Sequence, residues 1–445
     1  LGITPEVVDH VEIRTGCLPA EYGGNMGGVF EAVTRQPGNE WHGSLRVDAV
    51  DTSWTEDWEY DYWESFNPSS DEYSYYQPTV TLEGPVIKDK LSFLASYSFY
   101  DYEIEFLNIA SWGADPWNDD DIVTLAEKHE WRHPFLKFRW TPSNEHSVDV
   151  SYYSVMYATE NYEGRSYDYT PESWQDKVEG YTAVNLIWDW QIWSNTRLNM
   201  QLGYYLWEND LLPEKESDDP RDGSFSDDYY RQNYNNSPQW TEEDKERIQF
   251  NLALTWLSDF WKGHHQFKTG IEVQRQKYEN YNVYPGSYRY MTYPTPVGDP
   301  DHPDYFYGEE ASRDFLINPG SRTTSADSYA MYFLDEWQVS DRLSLNLGLR
   351  YNYIEYYLDE GDSEVVAWSW GNFKFDEWYY PDGMLKERGT MRFDDMIAPR
   401  LRVAWDLTGE NTTYLHGFYG RYYNTFDHQL PELFQNFRVN NTVFD

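Results

Sequence analysis

The chain has 445 residues and a single cysteine, Cys17. An internal disulfide is therefore impossible, and cysteine usage says little about compartment. Long uncharged apolar runs are also missing, and the mean hydropathy is -0.82. A transmembrane helix needs about 20 consecutive apolar residues, so none is expected. Strands escape that exclusion, because only alternate residues of a spanning strand meet lipid. Positive charge is scarce: 34 Lys and Arg stand against 77 Asp and Glu, a net charge of -43. Nucleic acid is excluded as a partner because phosphates would be repelled, whereas cations or a cation-bridged anionic surface are favoured. The chain holds no nucleophile elbow, no HExxH pair, no phosphate loop and no cysteine cluster, so it is not expected to be an enzyme. It opens on Leu1 without an initiator Met or signal peptide, which reads as incomplete at that end.

What the chain has is aromatic residues and alternation. Aromatics make up 19%, with 41 Tyr and 21 Trp, the amphipathic rings that form girdles at membrane interfaces. In Val339–Tyr353, Leu343, Leu345, Leu347, Leu349, Tyr351 and Tyr353 alternate with Ser344, Asn346, Gly348, Arg350 and Asn352. The same period of two runs through Arg247–Leu257 and Arg197–Trp207. One apolar face and one hydrogen-bonding face describe a strand between lipid and a polar lumen. Strands are expected around Leu45, Val80, Tyr97, Phe138, Val150, Leu186, Leu202, Leu252, Ile271, Phe333, Leu347, Val403 and Phe418. Pro78 and Pro85 weaken the second of these and predict a bulge or rim there.

Connections alternate in length. Short turns are expected at residues 87–90, 141–146, 193–197, 258–265, 340–342 and 408–413. Long polar segments are expected at about 51–73, 106–130, 158–177, 208–244, 279–326 and 355–395. Such alternation marks an antiparallel transmembrane β-barrel, with short turns on one side and long loops on the other. The fold class is therefore all-β, with roughly a dozen barrel strands over residues 41–445. Residues 1–40 differ, because Gly16, Gly23, Gly24, Gly27 and Gly28 predict a compact, turn-rich segment ahead of the barrel.

Val11–Gly43, with Ala20–Gly23, Gly27–Val29 and Val33–Arg35, resembles the end of the plug domain of TonB-dependent outer-membrane receptors. Leu82–Asp101 and Ala398–Asn424 resemble hairpins of their Oar-like branch. The resemblance implies a plug within a barrel of about 22 strands, in the outer membrane of a Gram-negative-type bacterium. The sequence would then be a partial chain covering the plug end and roughly half of the barrel. It also implies an energy-coupled receptor or transporter for a bulky ligand, peptide or protein in preference to siderophore or glycan. Implied partners are outer-membrane lipid and lipopolysaccharide, a TonB-type coupling protein acting through an upstream segment, and a surface lipoprotein or neighbouring chain. Plug arginines of the family pair with glutamates of the inner wall, which assigns Arg14 and Arg35 to a plug lock with Glu272 as wall partner.

Candidate ligand-binding residues are the loop aromatics Trp54, Trp58, Tyr60, Trp63, Trp368, Trp370 and Trp378, beside carboxylates. Their rings can stack on sugars or peptide side chains. The competing reading makes them cross-strand pairs in hairpins above the membrane. Acidic runs offer hard oxygen ligands for calcium, through Asp119, Asp120 and Asp121 and through Asp299, Asp301 and Asp304. None has EF-hand spacing, and a solvated charge run is the alternative. No other cofactor is expected. His264 and His265 read as turn residues. Rival functions are a passive porin-like or adhesive scaffold barrel and a soluble, aromatic-rich, carbohydrate-binding β-protein.

Overall fold

The computed structural model describes residues 4–16, 18–24, 28–51, 54, 74–109, 122–162, 171–216, 224–227, 232–237, 239–259, 261–283, 285, 288–297, 306–317, 320–358, 369–370, 373–374, 390–410, 412–423 and 440–442. Two strands precede the barrel: β1 (Val8–Thr15) pairs antiparallel with β2 (Gly28–Thr34). The segment expected to be compact and turn-rich contains a two-stranded pairing on either side of Gly16, Gly23 and Gly24, held by the alternating Val11, Ile13 and Phe30, Ala32 pairs.

Thirteen strands then form one antiparallel sheet in which every strand pairs with its sequence neighbour. They are β3 (His42–Asp51), β4 (Ser74–Ile87), β5 (Leu91–Ile109), β6 (Ile122–Ser143), β7 (His146–Tyr162), β8 (Gln175–Trp193) and β9 (Thr196–Pro213). After these come β10 (Trp240–Ser258), β11 (His264–Val283), β12 (Gly320–Ser340), β13 (Leu343–Leu358), β14 (Thr390–Asp406) and β15 (Tyr414–Gly420). Each expected strand centre lies within one of them. The register slips between Pro85 and Ile87, and β4 stops pairing with β5 at Thr79, next to Pro78. Neither proline can donate to a ladder. Residues 224–227, 232–234, 288–297, 306–317 and 440–442 pair into a separate sheet.

Alternation sorts the side chains by face. Outward residues are exposed and greasy, as with Leu45 at 70%, Met331 at 58% and Leu349 at 52%. Inward neighbours such as Thr79, Thr81, Ser96 and Ser98 are buried, and Thr79 donates to Ser98 at 2.8 Å. The outward apolar row has sharp ends. On β9 it runs from Leu198 to Leu206 before Glu208 and Asp210, and on β10 from Trp256 to Ile248 before Glu246 and Asp244. That span suits the about 9–11 residues of a tilted transmembrane strand. Outward rings gather near the short turns: Trp188 stacks on Trp190, and Trp256 on Phe267, with centroids 5.9 and 5.0 Å apart. They make the lower interfacial girdle.

Turn chemistry fits this end. Gly263 has a φ of 89°, and a Cβ there would lie 2.0 Å from the Gln338 carbonyl oxygen. Only glycine serves at this position. At the other end the sheet continues well past the apolar band, so the expected loop at 106–130 is interrupted by strand as far as Ile109 and again from Ile122. The ladder runs on to the Ile109–Ile122 pair, beyond the about 10 residues that a membrane span requires, so the span length does not predict it.

Candidate functional site on the inner wall

The turn Leu18–Gly23 lies against the inner face of β11, β13 and β14, and cations of the wall hold it there. Arg400 donates to the Leu18 carbonyl at 3.0 Å and also to that of Pro19. Arg350 donates to the Glu21 carbonyl at 3.1 Å and pairs with Glu272 at 2.9 Å. Lys268 pairs with the Glu21 carboxylate. Arg350 is only 3% exposed, so its charge is compatible with burial because Glu272 and a carbonyl satisfy it. Gly348 faces Ala20, whose Cβ would sit 2.8 Å from any Cβ placed at that glycine. The missing side chain lets the turn touch the wall.

Three further contacts fasten the segment. Val7 packs with Leu94, Phe135, Tyr153 and Val155, and Glu6 pairs with Arg46 at 2.7 Å. Lys137 donates to Thr34 at 3.0 Å.

The lock residues named from sequence are placed differently. Arg14 pairs at 2.5 Å with Glu12 of its own strand and lies over the Tyr22 ring. Arg35 does meet a wall carboxylate, Glu83, at 2.5 Å, and donates to the Glu6 carbonyl. Glu272 takes neither, because its partner is Arg350 of the wall itself. The dominant polarity at the turn is thus reversed, with cations on the barrel and acceptors on the segment.

From the level of the dock toward the long loops, the inner faces of β8 to β11 change character in two steps. First come carboxamides: Asn199, Gln201 and Asn251, in register with Gly270 and Glu272, then Asn185, Gln249 and Gln274, with Gln276 opposite Arg247. Next come rings and cations. Arg247 lies 5.4 Å from the Tyr205 centroid, and Lys245 lies 4.4 Å from that of Trp207 and 5.2 Å from that of Tyr278. Glu243 completes this patch by accepting from Tyr278 at 3.1 Å, Asn280 at 3.0 Å and Asn209 at 3.3 Å.

Tyrosines carry the surface round to β5. Tyr205, Tyr181 and Tyr153 follow one another with centroids 6.1 and 5.4 Å apart, and the last two share a 2.8 Å hydrogen bond. Above them His129 stacks on Tyr102 at 4.4 Å, with its Nδ1 2.6 Å from the Tyr157 hydroxyl and its Nε2 2.8 Å from Glu127. Burial and neighbouring Tyr157 push the Tyr102 phenol above its ordinary pKa. His133, 1% exposed, lies edge-on to Trp131 and Tyr153, and neither ring nitrogen is hydrogen-bonded. Rings, carboxamides and fixed charges on one concave wall suit a large polar ligand bound by stacking and hydrogen bonds.

This wall was not among the sequence candidates. Its signal was there in Tyr205, an aromatic standing in a polar row. Of the loop aromatics, Trp54 is exposed and Trp370 belongs to the short strand Ser369–Trp370. Trp58, Tyr60, Trp63, Trp368 and Trp378 lie outside the described residues, as do Asp119, Asp120, Asp121, Asp299, Asp301 and Asp304. Among the described residues no group of three His, Cys, Asp or Glu side chains is arranged for a metal ion.

Known proteins share this architecture. The outer membrane transporter YddB from Escherichia coli superposes with a TM-score of 0.62 at 17% identity, over 94% of this chain and 48% of that one. The FpvAI–pyocin S2 complex gives 0.57 at 13% identity, over 95% and 48%. Pyoverdine-bound FpvA from Pseudomonas aeruginosa PAO1 gives 0.55 at 12%, over 95% and 52%. In sequence, the TonB-dependent transporter Oar of Myxococcus xanthus is 24% identical over 132 residues, which are 28% of this chain and 12% of that protein. The chain spans about half the length of these structural neighbours and shares their fold over that length. Residues 135–444, well over half of the sequence, match the family described as outer membrane beta barrel domain. A predominantly apolar outward face, a polar inner wall and that match agree, and the chain belongs to the outer membrane β-barrel domain family.

Proposed function

We propose that this chain works in an energy-coupled importer or surface receptor of the outer membrane, taking up a bulky ligand of the peptide or protein class. Ligand binds along the ring- and carboxamide-lined wall, and a TonB-type coupling protein pulls the N-terminal segment away to open a path. The carrying observation is the dock of Leu18–Gly23. Lys268, Arg350 and Arg400 hold it by ion pairs and by hydrogen bonds to carbonyls, contacts that lumen water can replace one at a time. Carboxamides and tyrosines suit a peptide backbone, which offers a donor and an acceptor at every residue. Neighbours of the same fold are seen with pyocin S2 in one case and pyoverdine in another, so the fold alone leaves the ligand open. The apolar outward rows meet lipid, with lipopolysaccharide at the charged rim, and the long-loop end is where a surface lipoprotein or neighbouring chain would attach.

The test locks the dock. In a Cys17→Ser background, Glu21→Cys with Lys268→Cys should be bridged by a bifunctional methanethiosulfonate, whose spacer replaces the length of the two native side chains that meet there. Uptake of labelled oligopeptides by cells should stop in the cross-linked double variant, return with reductant, and collapse in the parent when a protonophore is added. Uptake indifferent to both lock and protonophore would instead establish a passive pore.

A further inference from the structure

Lys245 and Arg247 stand two residues apart on the inward face of β10, about 7 Å from one another along the strand. Both are held over rings: Arg247 over Tyr205, and Lys245 between Trp207 and Tyr278. Neither has a carboxylate within ion-pair distance among the described residues, although the chain carries 77 acidic residues. The contrast along the same wall is sharp. Arg350 pairs with Glu272, Lys268 with Glu21, Lys177 with Glu179, and Arg197 with Asp189. The carboxylate next to Lys245 on its own face, Glu243, is engaged by Tyr278, Asn280 and Asn209. Two like charges side by side repel each other, and the cation–ring contacts offset part of that repulsion. Such a pair is preorganised for an anion that neither side chain owns.

We propose that Lys245 and Arg247 form a carboxylate subsite for the ligand on the inner wall. The subsite rests on the reading that ligand passes along this face. Arg247 offers a planar fork that matches a carboxylate bidentately, and Lys245 a point charge beside it. The rings beneath fix both heads and keep their long side chains from losing further freedom on binding. Carboxamides Gln249 and Gln274, one inward step toward the dock, and Gln276, directly opposite Arg247, supply neutral hydrogen bonds to whatever carries the acid. The pair therefore selects acidic over neutral cargo, either an acidic peptide or a small polycarboxylate.

The experiment is calorimetric titration of the full chain in detergent with three probes: a capped glutamate-rich peptide, its glutamine counterpart, and tricarballylate. At low salt the acidic peptide should bind about tenfold tighter than the neutral one, and about 0.5 M salt should erode that advantage. K245Q/R247Q should abolish the preference, whereas K245R/R247K, which keeps both charges, should retain it. A shared heat-modifiable gel shift shows that both variants are folded. Binding of tricarballylate to the parent but not to K245Q/R247Q, with neither peptide bound, keeps the subsite and removes the peptide cargo. Equal affinity for the two peptides, a preference that survives in K245Q/R247Q, or failure of every carboxylate to bind overturns the subsite.

Discussion

Asp210 faces outward on β9, two side-chain steps beyond the last apolar residue Leu206 and therefore outside the lipid band. Burial first, and then Asp244 and Glu242, push its carboxyl up to about 6. A carboxyl raised in the fold contributes its stability in full below the ordinary value of 3.8 and loses it as pH rises through about 6. Near neutral pH the ionised Asp210 is thus a liability. D210N should raise Tm by about 1–2 °C at pH near 7.5 and low salt, and change nothing well below the ordinary carboxylate range. Scanning calorimetry in detergent at the two pH values checks this, and a lower Tm at the higher pH would refute it. The opposite solution appears at the short-turn end. Asp335 also faces outward, but His265 meets it at 2.9 Å, only 3% of that histidine's side chain is exposed, and Trp337 and Phe267 stack against its ring. This pair was invisible in a sequence that offered His264-His265 only as turn residues, because the two partners are 70 positions apart.

At the scale of elements, legibility followed the strength of the physical constraint. Lipid forbids polar side chains on one face, so the rows of β9, β10 and β13 were readable one strand at a time, and the short turns with them. No such rule marks the dock. Glu272 pairs in register with Ala330, and Arg350 with Tyr332, one inward step away on the same intervening strand. The small Ala330 leaves room for the arginine and glutamate to meet across β12, so the contact depends on three registers at once. The pairing of β1 with β2 was hidden for another reason: Gly16, Gly23 and Gly24 mark the connection between the strands, while Val11, Ile13 and Phe30 on either side of it show too short an alternation to be read as a pair. Gly348 is the element-level counterpart of the dock, a gap in β13 filled by Ala20. G348V should displace the turn while leaving the sheet intact, at a cost of about 1–3 kcal/mol of overpacking confined to the contact. Conductance in planar bilayers should then rise above the parent's, with G348A intermediate. Unchanged conductance in G348V would mean that the turn does not limit the lumen.

For the whole molecule, the distribution of charge is more telling than its total. A net charge of -43 coexists with outward rows that carry no charge between Leu198 and Leu206 or between Ile248 and Trp256. Paired cations and acids occupy the inner wall instead, and among the described residues Glu208, Asp210, Asp244 and Glu246 stand outward just beyond the apolar rows. A soluble β-protein with this composition would be equally acidic but would bury its leucine rows against a second sheet. Here no second sheet covers them among the described residues, and the rows are open in Leu45, Met331 and Leu349. The two architectures differ in what surrounds the tryptophans. Trp188, Trp190 and Trp256 point outward near the short turns, whereas Trp207 points to the lumen beneath Lys245. After reconstitution into bilayers containing brominated lipids, tryptophan emission should be quenched. W188F/W190F/W256F should lose a clear part of that quenching, and W207F should lose none. Protein that remains dispersed without detergent, or quenching carried equally by Trp207, would place the leucine rows somewhere other than against hydrocarbon.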